Sequence, residues 1–443
     1  MKQNIKTSLL VLTIIFSSLS FGQTKRWTLE ECVGYAFQNN ISIKQSQLDL
    51  KTSDIEKLEA IGGFLPSING NANYSVNTGA NINPATNQFE NETFKSFSAN
   101  ANANVNLFNG LRNWKTLQRT KLNAVANSYK LDKMRDDIAL NIANSYLQIL
   151  FNKEQIKVLQ NQKAITQQNI DRTKQLIDAG SIPAGDIYEL NATLATQEQQ
   201  IIAAENTLLI AKINLCQTLL LEDYVNFDIA DEEYQVPVSP VFGETPDAII
   251  AKAKESVKDV KIAAANLDVA KKDVSVSRSA YLPTLSAFLG YNTRWSDNAP
   301  ISFNNQISLF DGTSYGLQLN VPILNGLSVR TRVQHSKINV ERADFLLKQA
   351  ELDLERNVYQ AYSDVSNARK SFEAAQKTLE ARQKANEFSK DRYEIGMLNA
   401  FDFAQSTTAF VSAQSEVLRT KYDYIFRTKI LEFYFGIPII QKQ

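Results

Sequence analysis

Within "SANANANVNLFNG", Ser98 to Gly110, apolar and amide positions alternate from Ala99 to Leu107. Ala99, Ala101, Ala103, Val105 and Leu107 fall on one side, and Asn100, Asn102, Asn104 and Asn106 on the other. A period of two predicts a β-strand with two different faces. A soluble sheet usually puts Lys, Glu and Thr on its wet face and bulky Val, Ile or Phe inside. Here the apolar face is thin and the polar face is uncharged. The first strand pair is placed near 68–78 and 94–108, joined by the polar, turn-rich "GANINPATNQFENE". A second pair is placed near 285–295 and 314–323, with Leu285, Ala287, Leu289 and Tyr291 alternating on one strand. On its partner Tyr315, Leu317, Leu319 and Val321 share a face, and Pro322 marks the strand end.

After each pair the period lengthens to that of a helix. Leu111 to Asp178 and Leu327 to Ile395 contain no Pro or Gly. At 1.5 Å per residue each spans roughly 100 Å. Leu131, Met134, Ile138, Ile142, Tyr146 and Ile149 form a narrow apolar seam of coiled-coil type. The breaks "DAGSIPAGD" and "EIGMLNAFD" turn each helix back, with Gly180 and Gly396 as left-handed terminating glycines. The returning helices, about Asp186 to Glu222 and Ala400 to Phe435, cover roughly 55 Å. Leading helices, Thr28 to Ile61 with Thr28 as N-cap and Pro246 to Ala280, supply the missing length if stacked end to end with them.

The plan is written twice. "FLPS" at Phe64 recurs as "YLPT" at Tyr281, and "LFNGL" at Leu107 as "ILNGL" at Ile323. From there Asn141 matches Asn357, Tyr146 matches Tyr362, Gly180 matches Gly396, and Asp186 matches Asp402 without a gap. The fold class is an α+β membrane protein made of a tandem-duplicated helix-strand-strand-helix-helix repeat. The repeats are 23–221 and 247–436, with an acidic linker at 222–246, outside the bundle at mid-height, and a tail at 437–443.

The address decides what the strands are for. Lys2 and Lys6, the apolar run Leu9 to Phe16, and small residues before Gln23 read as a signal peptide over 1–22. No Cys follows, so a lipid anchor is not expected. Beyond it no apolar stretch of about 18 residues occurs, so any membrane insertion uses strands. Each strand is long enough to cross an outer membrane at a tilt, but lipid admits only closed barrels. Four strands are too few, because known barrels begin at about eight. Several copies must therefore pool their strands. Asn100, Asn102, Asn104 and Asn106 then line a water-filled lumen, and Ala99 to Leu107 meet lipid.

The duplicated plan, "FLP" before the first strand, "NGL" after the second, and breaks with Gly followed six residues later by Asp together resemble the TolC-type outer-membrane efflux proteins. No single motif is specific; the ordered set, twice over, is. The resemblance implies a homotrimer, and so a twelve-stranded barrel continuous with a twelve-helix periplasmic tunnel. It implies an outer-membrane exit duct for a tripartite efflux or type I secretion system. Its partners are then outer-membrane lipid, a periplasmic adaptor (membrane fusion protein) and an inner-membrane pump of resistance-nodulation-division or ABC type. Carried over by position, adaptor-docking tips are Gly180, Ser181 and Ile182, and Gly396, Met397 and Leu398. The periplasmic constriction is Asp186, Tyr393 and Asp402, with a ring of Asp402 at its narrowest point. Leu398 stands where the family's best-known member has Arg, and Gln405 where it has a second Asp. Closure is therefore expected to rest on hydrogen bonds and packing, or to be looser.

Bland roles compete at several positions. Asp186 and Asp402 lie in first turns, where a carboxylate stabilises the helix dipole. Ile182 and Leu398 also suit hairpin packing. The cluster Arg112, Lys115, Arg119 and Lys121, and Arg330, Arg332 and Lys337 in the second half, suit either inner-leaflet phosphates or a solvated face. Trp295 fits an interfacial girdle. His335 has no partner for catalysis, and Cys32 and Cys216 fit no metal or redox spacing and read as buried helix residues. With a formal net charge of zero there is no pull toward nucleic acid. No phosphate loop, metal-spaced His or Cys, or nucleophile elbow occurs, so neither an enzyme nor a cofactor site is indicated. A passive outer-membrane pore and a periplasmic coiled-coil structural or adaptor protein remain compatible with the residues.

Overall fold

The computed structural model describes residues 25–82, 87–231 and 239–438. The signal peptide read at 1–22 lies outside the described residues, as do 83–86 of the first hairpin, 232–238 of the linker and 439–443 of the tail. The first repeat contains β1 (Arg26–Trp27), α1 (Leu29–Asn39), α2 (Ile41–Gly62), β2 (Ser67–Ile82), β3 (Phe89–Asn109), α3 (Arg112–Asp178) and α4 (Asp186–Leu219). After β4 (Asp228–Ile229) the second contains α5 (Pro246–Ser256), α6 (Lys258–Arg278), β5 (Thr284–Ser296), α7 (Phe303–Leu309), β6 (Gly312–Asn320), α8 (Ser328–Glu394) and α9 (Ala400–Tyr434). The described chain divides into two compact units.

One unit comprises 46–131 and 258–350. Its sheet is antiparallel throughout, in the order β2-β3-β5-β6. The first two strands are longer than the alternation suggests, and β6 stops at Asn320, before Pro322. A bulge after Asn106 displaces Leu107 from the ladder, so Phe108, not Leu107, takes the apolar register opposite Leu285. Helices from the same unit lie in a row. Asn127 Nδ2 donates to Ser53 Oγ at 2.6 Å and Asn123 Nδ2 to Glu56 Oε2 at 3.1 Å, joining α3 to α2. Lys272 Nζ donates to Gln118 Oε1 at 2.8 Å, joining α6 to α3, and Ser277 meets Ser336 at 2.8 Å, joining α6 to α8. The basic cluster of the first half takes part in this row: Arg119 pairs with Asp273 at 3.3 Å and Lys115 donates to Ser279 Oγ at 3.1 Å.

The "NGL" motif is a pair of consecutive left-handed residues in both repeats. Gly110 and Leu111 have φ of 66° and 62°, and Gly326 and Leu327 have 57° and 67°. Leucine seldom adopts this region, at a cost of about 1–2 kcal/mol. Two such residues swing the chain from strand into helix within one step. At Gly110 a side chain is also excluded by contact, since a Cβ would meet the Ser279 carbonyl oxygen at 2.5 Å.

The other unit comprises 25–45, 132–257 and 351–438 of the described chain. Its main core joins Cys32, Val33 and Ala36 of α1, Ile142, Tyr146 and Ile149 of α3, Leu215 and Leu219 of α4, and Ile425 of α9. The apolar seam read along α3 is thus buried at Ile142, Tyr146 and Ile149. Thr28 and Glu31 form a capping box at the start of α1. The linker is partly built into this unit: β4 pairs in parallel with β1, and Phe227, Ile229 and Val241 are buried. Tyr146 Oη reaches the carbonyls of Trp27 and Ala230, and Lys153 Nζ binds Asp228 at 2.9 Å and Asp231 at 2.8 Å. Cys32 and Cys216 are both unbonded and fully buried, and burial pushes their thiols up to about 12 and about 11.

Neither leading helix is continuous. The first breaks at Asn40 (φ −58°, ψ 133°) and the second at Val257 (φ −70°, ψ 131°), which occupy the same position of the repeat. Asn40 Oδ1 accepts from Ser42 N at 2.9 Å, capping α2, while its Nδ2 donates to the Thr218 carbonyl at 2.9 Å. The break satisfies free amides and ties the chain to α4 at once.

Candidate functional site

Two regions carry the chemistry. In the sheet, cross-strand register puts Asn71, Asn100 and Asn292 side by side, and Asn69 next to Asn102. Asn71 Nδ2 and Asn102 Nδ2 both donate to Asn100 Oδ1, at 3.4 and 3.2 Å. Farther along, Ser75 and Ser96 hydroxyls meet at 2.7 Å. The structure thus places Asn100, Asn102, Asn104 and Asn106 on one shared face and adds Asn69, Asn71, Asn73 and Asn292 to it. The added residues of β2 alternate in "INGNANYSVN" as legibly as those of β3. At the strand bases this face runs into a recess of about 700 Å³ whose walls include Glu56, Glu59, Arg112, Arg119, Asn106 and Asn320.

The opposite face carries Ile68, Tyr74, Ala101, Val105, Leu289, Tyr291, Tyr315, Leu317 and Leu319. Several are largely exposed, Tyr315 at 82 % and Ile68 at 74 %. Apolar surface on this scale requires a non-aqueous neighbour. Among the described residues, no helix is long and apolar enough to cross a membrane.

The second region is the pair of helix hairpins. Gly180 N donates to Ile177 O at 2.8 Å and Ser181 N to Leu176 O at 2.9 Å; Gly396 N and Met397 N repeat the pattern with Tyr393 O and Arg392 O. Both helices therefore end in Schellman motifs, with Gly180 at φ 69° and Gly396 at φ 76°. Below them Ile170, Leu190, Tyr393, Ala400 and Phe403 form a small core. Tyr393, 4 % exposed, stacks on Phe403 at 4.9 Å and shares a 2.5 Å hydrogen bond with Thr173 Oγ1. Burial pushes the Tyr393 phenol above its ordinary value, and the Asp186 carboxylate adds to this.

Of the residues expected at a constriction, Tyr393 and Asp186 are therefore brought together, and Thr173 joins them without having been singled out. Asp402 is exposed in the first turn of α9, where its backbone amide donates to Asn399 Oδ1 at 2.8 Å. Of the expected tip residues, Ser181 and Met397 are exposed, Ile182 is half-buried, and Leu398 packs partly onto the small core. Apolar surface near the tips is left open at Ile395 and Phe401 on the second hairpin and at Tyr188 on the first.

Comparison with known proteins identifies the family. The family described as "Outer membrane efflux protein" matches residues 33–219 and again 249–435, once for each repeat. The chain belongs to this family. As an outer membrane efflux protein it is similar to "Outer membrane protein TolC" of Salmonella enteritidis, 22 % identical over 95 % of this chain and 83 % of that one. It is also similar to "Pyoverdine export outer membrane protein OpmQ" of Pseudomonas aeruginosa, 25 % identical over 75 % of this chain and 68 % of that one. The solved structure of CusC, described in terms of folding and transmembrane channel formation, superposes with a TM-score of 0.78 at 15 % identity, covering 92 % of this chain and 91 % of that one. The duplicated α+β fold is that of outer-membrane channels, with its helices extending into the periplasm.

Proposed function

We propose that three copies of this chain form an exit duct, which takes substrates from an inner-membrane pump and a periplasmic adaptor to the exterior. The observation that carries this is a coincidence of edges. In the unit of the sheet, β2 and β6 are edge strands, and α2 and α8 stand at the corresponding ends of the helix row. An unpaired strand edge cannot remain open in lipid. The end helices also expose apolar stripes at coiled-coil spacing: Leu48, Ile55 and Leu58 on α2, and Ile338, Phe345 and Leu346 on α8. One copy's β6 and α8 therefore suit the next copy's β2 and α2, a head-to-tail contact that closes into a ring. Three copies give twelve strands, within the range of outer-membrane barrels.

In that ring the amide face lines the lumen. Asparagine binds water without charge, which favours passage of polar cargo of either sign and leaves selection to the pump. The export named for the Pseudomonas relative fits such a lining. The exposed tip surface of Met397, Ile395 and Phe401 on one hairpin, with Gly180, Ser181 and Tyr188 on the other, is the proposed docking site for the adaptor. Asp402 from three copies forms an acidic ring at the periplasmic end, and Asp186 with Tyr393 steadies the hairpins around it.

The test is two measurements on purified protein and one in the cell. Native mass spectrometry is expected to give the mass of three chains, and planar-bilayer recordings a mostly closed channel. A photocrosslinking residue at Met397 in the native cell is expected to capture an adaptor. A monomer in mild detergent, or a wide pore that conducts constantly, would overturn the duct reading.

A further inference from the structure

The connection between β5 and β6 is not a loose loop. Asp297 N donates to the Lys95 carbonyl at 3.0 Å, and Lys95 N donates to Asp297 Oδ1 at 2.6 Å, which stitches its start to β3. It then forms α7, whose Phe303 ring lies 5.9 Å from Phe97 and 5.5 Å from Trp295. Thr293 Oγ1 donates to the Ile307 carbonyl at 2.7 Å. At the centre is Gln306, 1 % exposed. Its Oε1 accepts from Ser296 N at 2.9 Å, and its Nε2 donates to the carbonyls of Ser296 at 2.8 Å and Ile301 at 2.6 Å. A buried amide satisfied on both atoms fixes one position for the segment.

Register says which side of the sheet this is. Phe97, Thr293 and Trp295 alternate in phase with Ala101, Leu289 and Tyr291, so α7 is clamped on the apolar face, opposite the asparagines. It covers that face with its own apolar side and turns Asn304, Asn305 and Ser308 outward, all exposed. Phe303 and Leu309 stay about half open at its rim. Such a mixture suits a helix lying in a membrane interface. The position agrees: from Leu285 to Trp295 the apolar face runs for about 33 Å of strand, hence about 25 Å of height at the usual barrel tilt, the thickness of an outer-membrane apolar band.

We propose that α7 is a collar at the outer-leaflet boundary: Phe97, Trp295 and Phe303 end the hydrocarbon band, and Asn304, Asn305 and Ser308 meet the polar lipid headgroups. The collar sets the depth of the barrel in the membrane. This rests on the reading of the apolar face as lipid-facing, and the experiment separates the two. Single cysteines at Asn305 and, as a mid-band reference, at Leu289 carry an environment-sensitive fluorophore in the full protein, reconstituted in vesicles of phosphatidylethanolamine and phosphatidylglycerol. Buried Cys32 and Cys216 stay unlabelled in the folded chain. Quenching is compared between lipids carrying a nitroxide on the headgroup, lipids carrying one deep in the acyl chain, and aqueous iodide.

The collar predicts that the headgroup nitroxide quenches Asn305 several-fold more than the deep one, with the order reversed at Leu289. Gln306→Ala, which releases the latch, is expected to lower headgroup quenching at Asn305 several-fold while leaving Leu289 unchanged. If Leu289 reads as hydrocarbon but Asn305 is quenched only by iodide, the collar is wrong and the channel reading survives. If both positions read as aqueous, the lipid-facing assignment falls and takes the collar with it.

Discussion

Thr173 and Tyr393, from different repeats, share a 2.5 Å hydrogen bond inside the hairpin core. Thr173 Oγ1 also donates to the Asn169 carbonyl at 2.8 Å, so its proton is used and Tyr393 is the donor. Tyr393→Phe keeps the stack on Phe403 but leaves the buried threonine oxygen without its partner, a loss of about 1–2 kcal/mol. The hairpin end is expected to exchange amide hydrogens faster, while the main core around Tyr146 is unchanged. Equal acceleration in both regions would refute a local role.

Asp186→Ala removes a charge that adds to the effect of burial on the Tyr393 phenol, and Asp402→Ala removes the proposed acidic ring. Both variants are expected to raise channel open probability. Only Asp402→Ala is expected to lower preference for cations. Bilayer recordings under a salt gradient separate the two effects, and unchanged conductance in both would remove these residues from the gate.

The β1–β4 tether is predicted to be acid-sensitive. Burial pushes Asp228 up, but the hydrogen bonds and charges of Lys153 and Lys212 more than offset it; Asp231 is held down chiefly by Lys153. With folded values below the unfolded one of about 3.9, this stability is present above pH 4 and is lost as pH falls through the folded values. Trp27, within β1, reports it. Its emission is expected to shift red below about pH 4, and Asp228→Asn to flatten that titration. Lys153→Met should cost about 1 kcal/mol at neutral pH, because Asp228 keeps Lys212 and Asp231 keeps Arg26 when the shared cation is lost.

The two "NGL" turns make a controlled pair. Gly326→Ala meets nothing within 4 Å, so its cost is the backbone strain alone, about 1–2 kcal/mol. Gly110→Ala adds a clash with the Ser279 carbonyl and Leu282 Cβ, and more than about 3 kcal/mol is expected. Leu111→Gly should relieve strain and stabilise by about 1 kcal/mol. Thermal unfolding of the three variants in one detergent gives the ranking directly.

At the proposed seam, Ile55→Glu and Phe345→Glu place charge on side chains exposed at 66 % and 69 %. Neither disturbs the interior of its own chain. Each is expected to convert trimer to monomer on size-exclusion chromatography with secondary structure intact, and a persistent trimer would mean the stripes meet something other than a second copy.

Much of this architecture is legible in the chain because the signals are local and long. A helix such as α3, with 67 residues and no Pro or Gly, needs no tertiary help to be recognised, and the tip glycines announce their own left-handed turns. What stays hidden is fixed by distant partners. Val257 interrupts its helix without glycine or proline. β1 and β4 are two residues each, joined across two hundred positions of sequence. The seven-residue α7 is too short to hold itself and exists through Phe97, Trp295 and the Gln306 bonds. At the tips, Leu398 reads as exposed from its place in a turn, yet the fold draws it partly onto Tyr393 and its neighbours.

The shared order of strands and helices, with β2 and α2 at one end and β6 and α8 at the other, has a genetic consequence. In a head-to-tail ring every copy presents two unlike surfaces, and one defective copy spoils a joint that sound neighbours cannot repair. When variant and normal chains are made in equal amounts and mix freely, only about one ring of three in eight contains no variant. Damage at either edge is therefore dominant over a normal copy of the gene, whereas damage confined to a chain that never joins the ring is recessive.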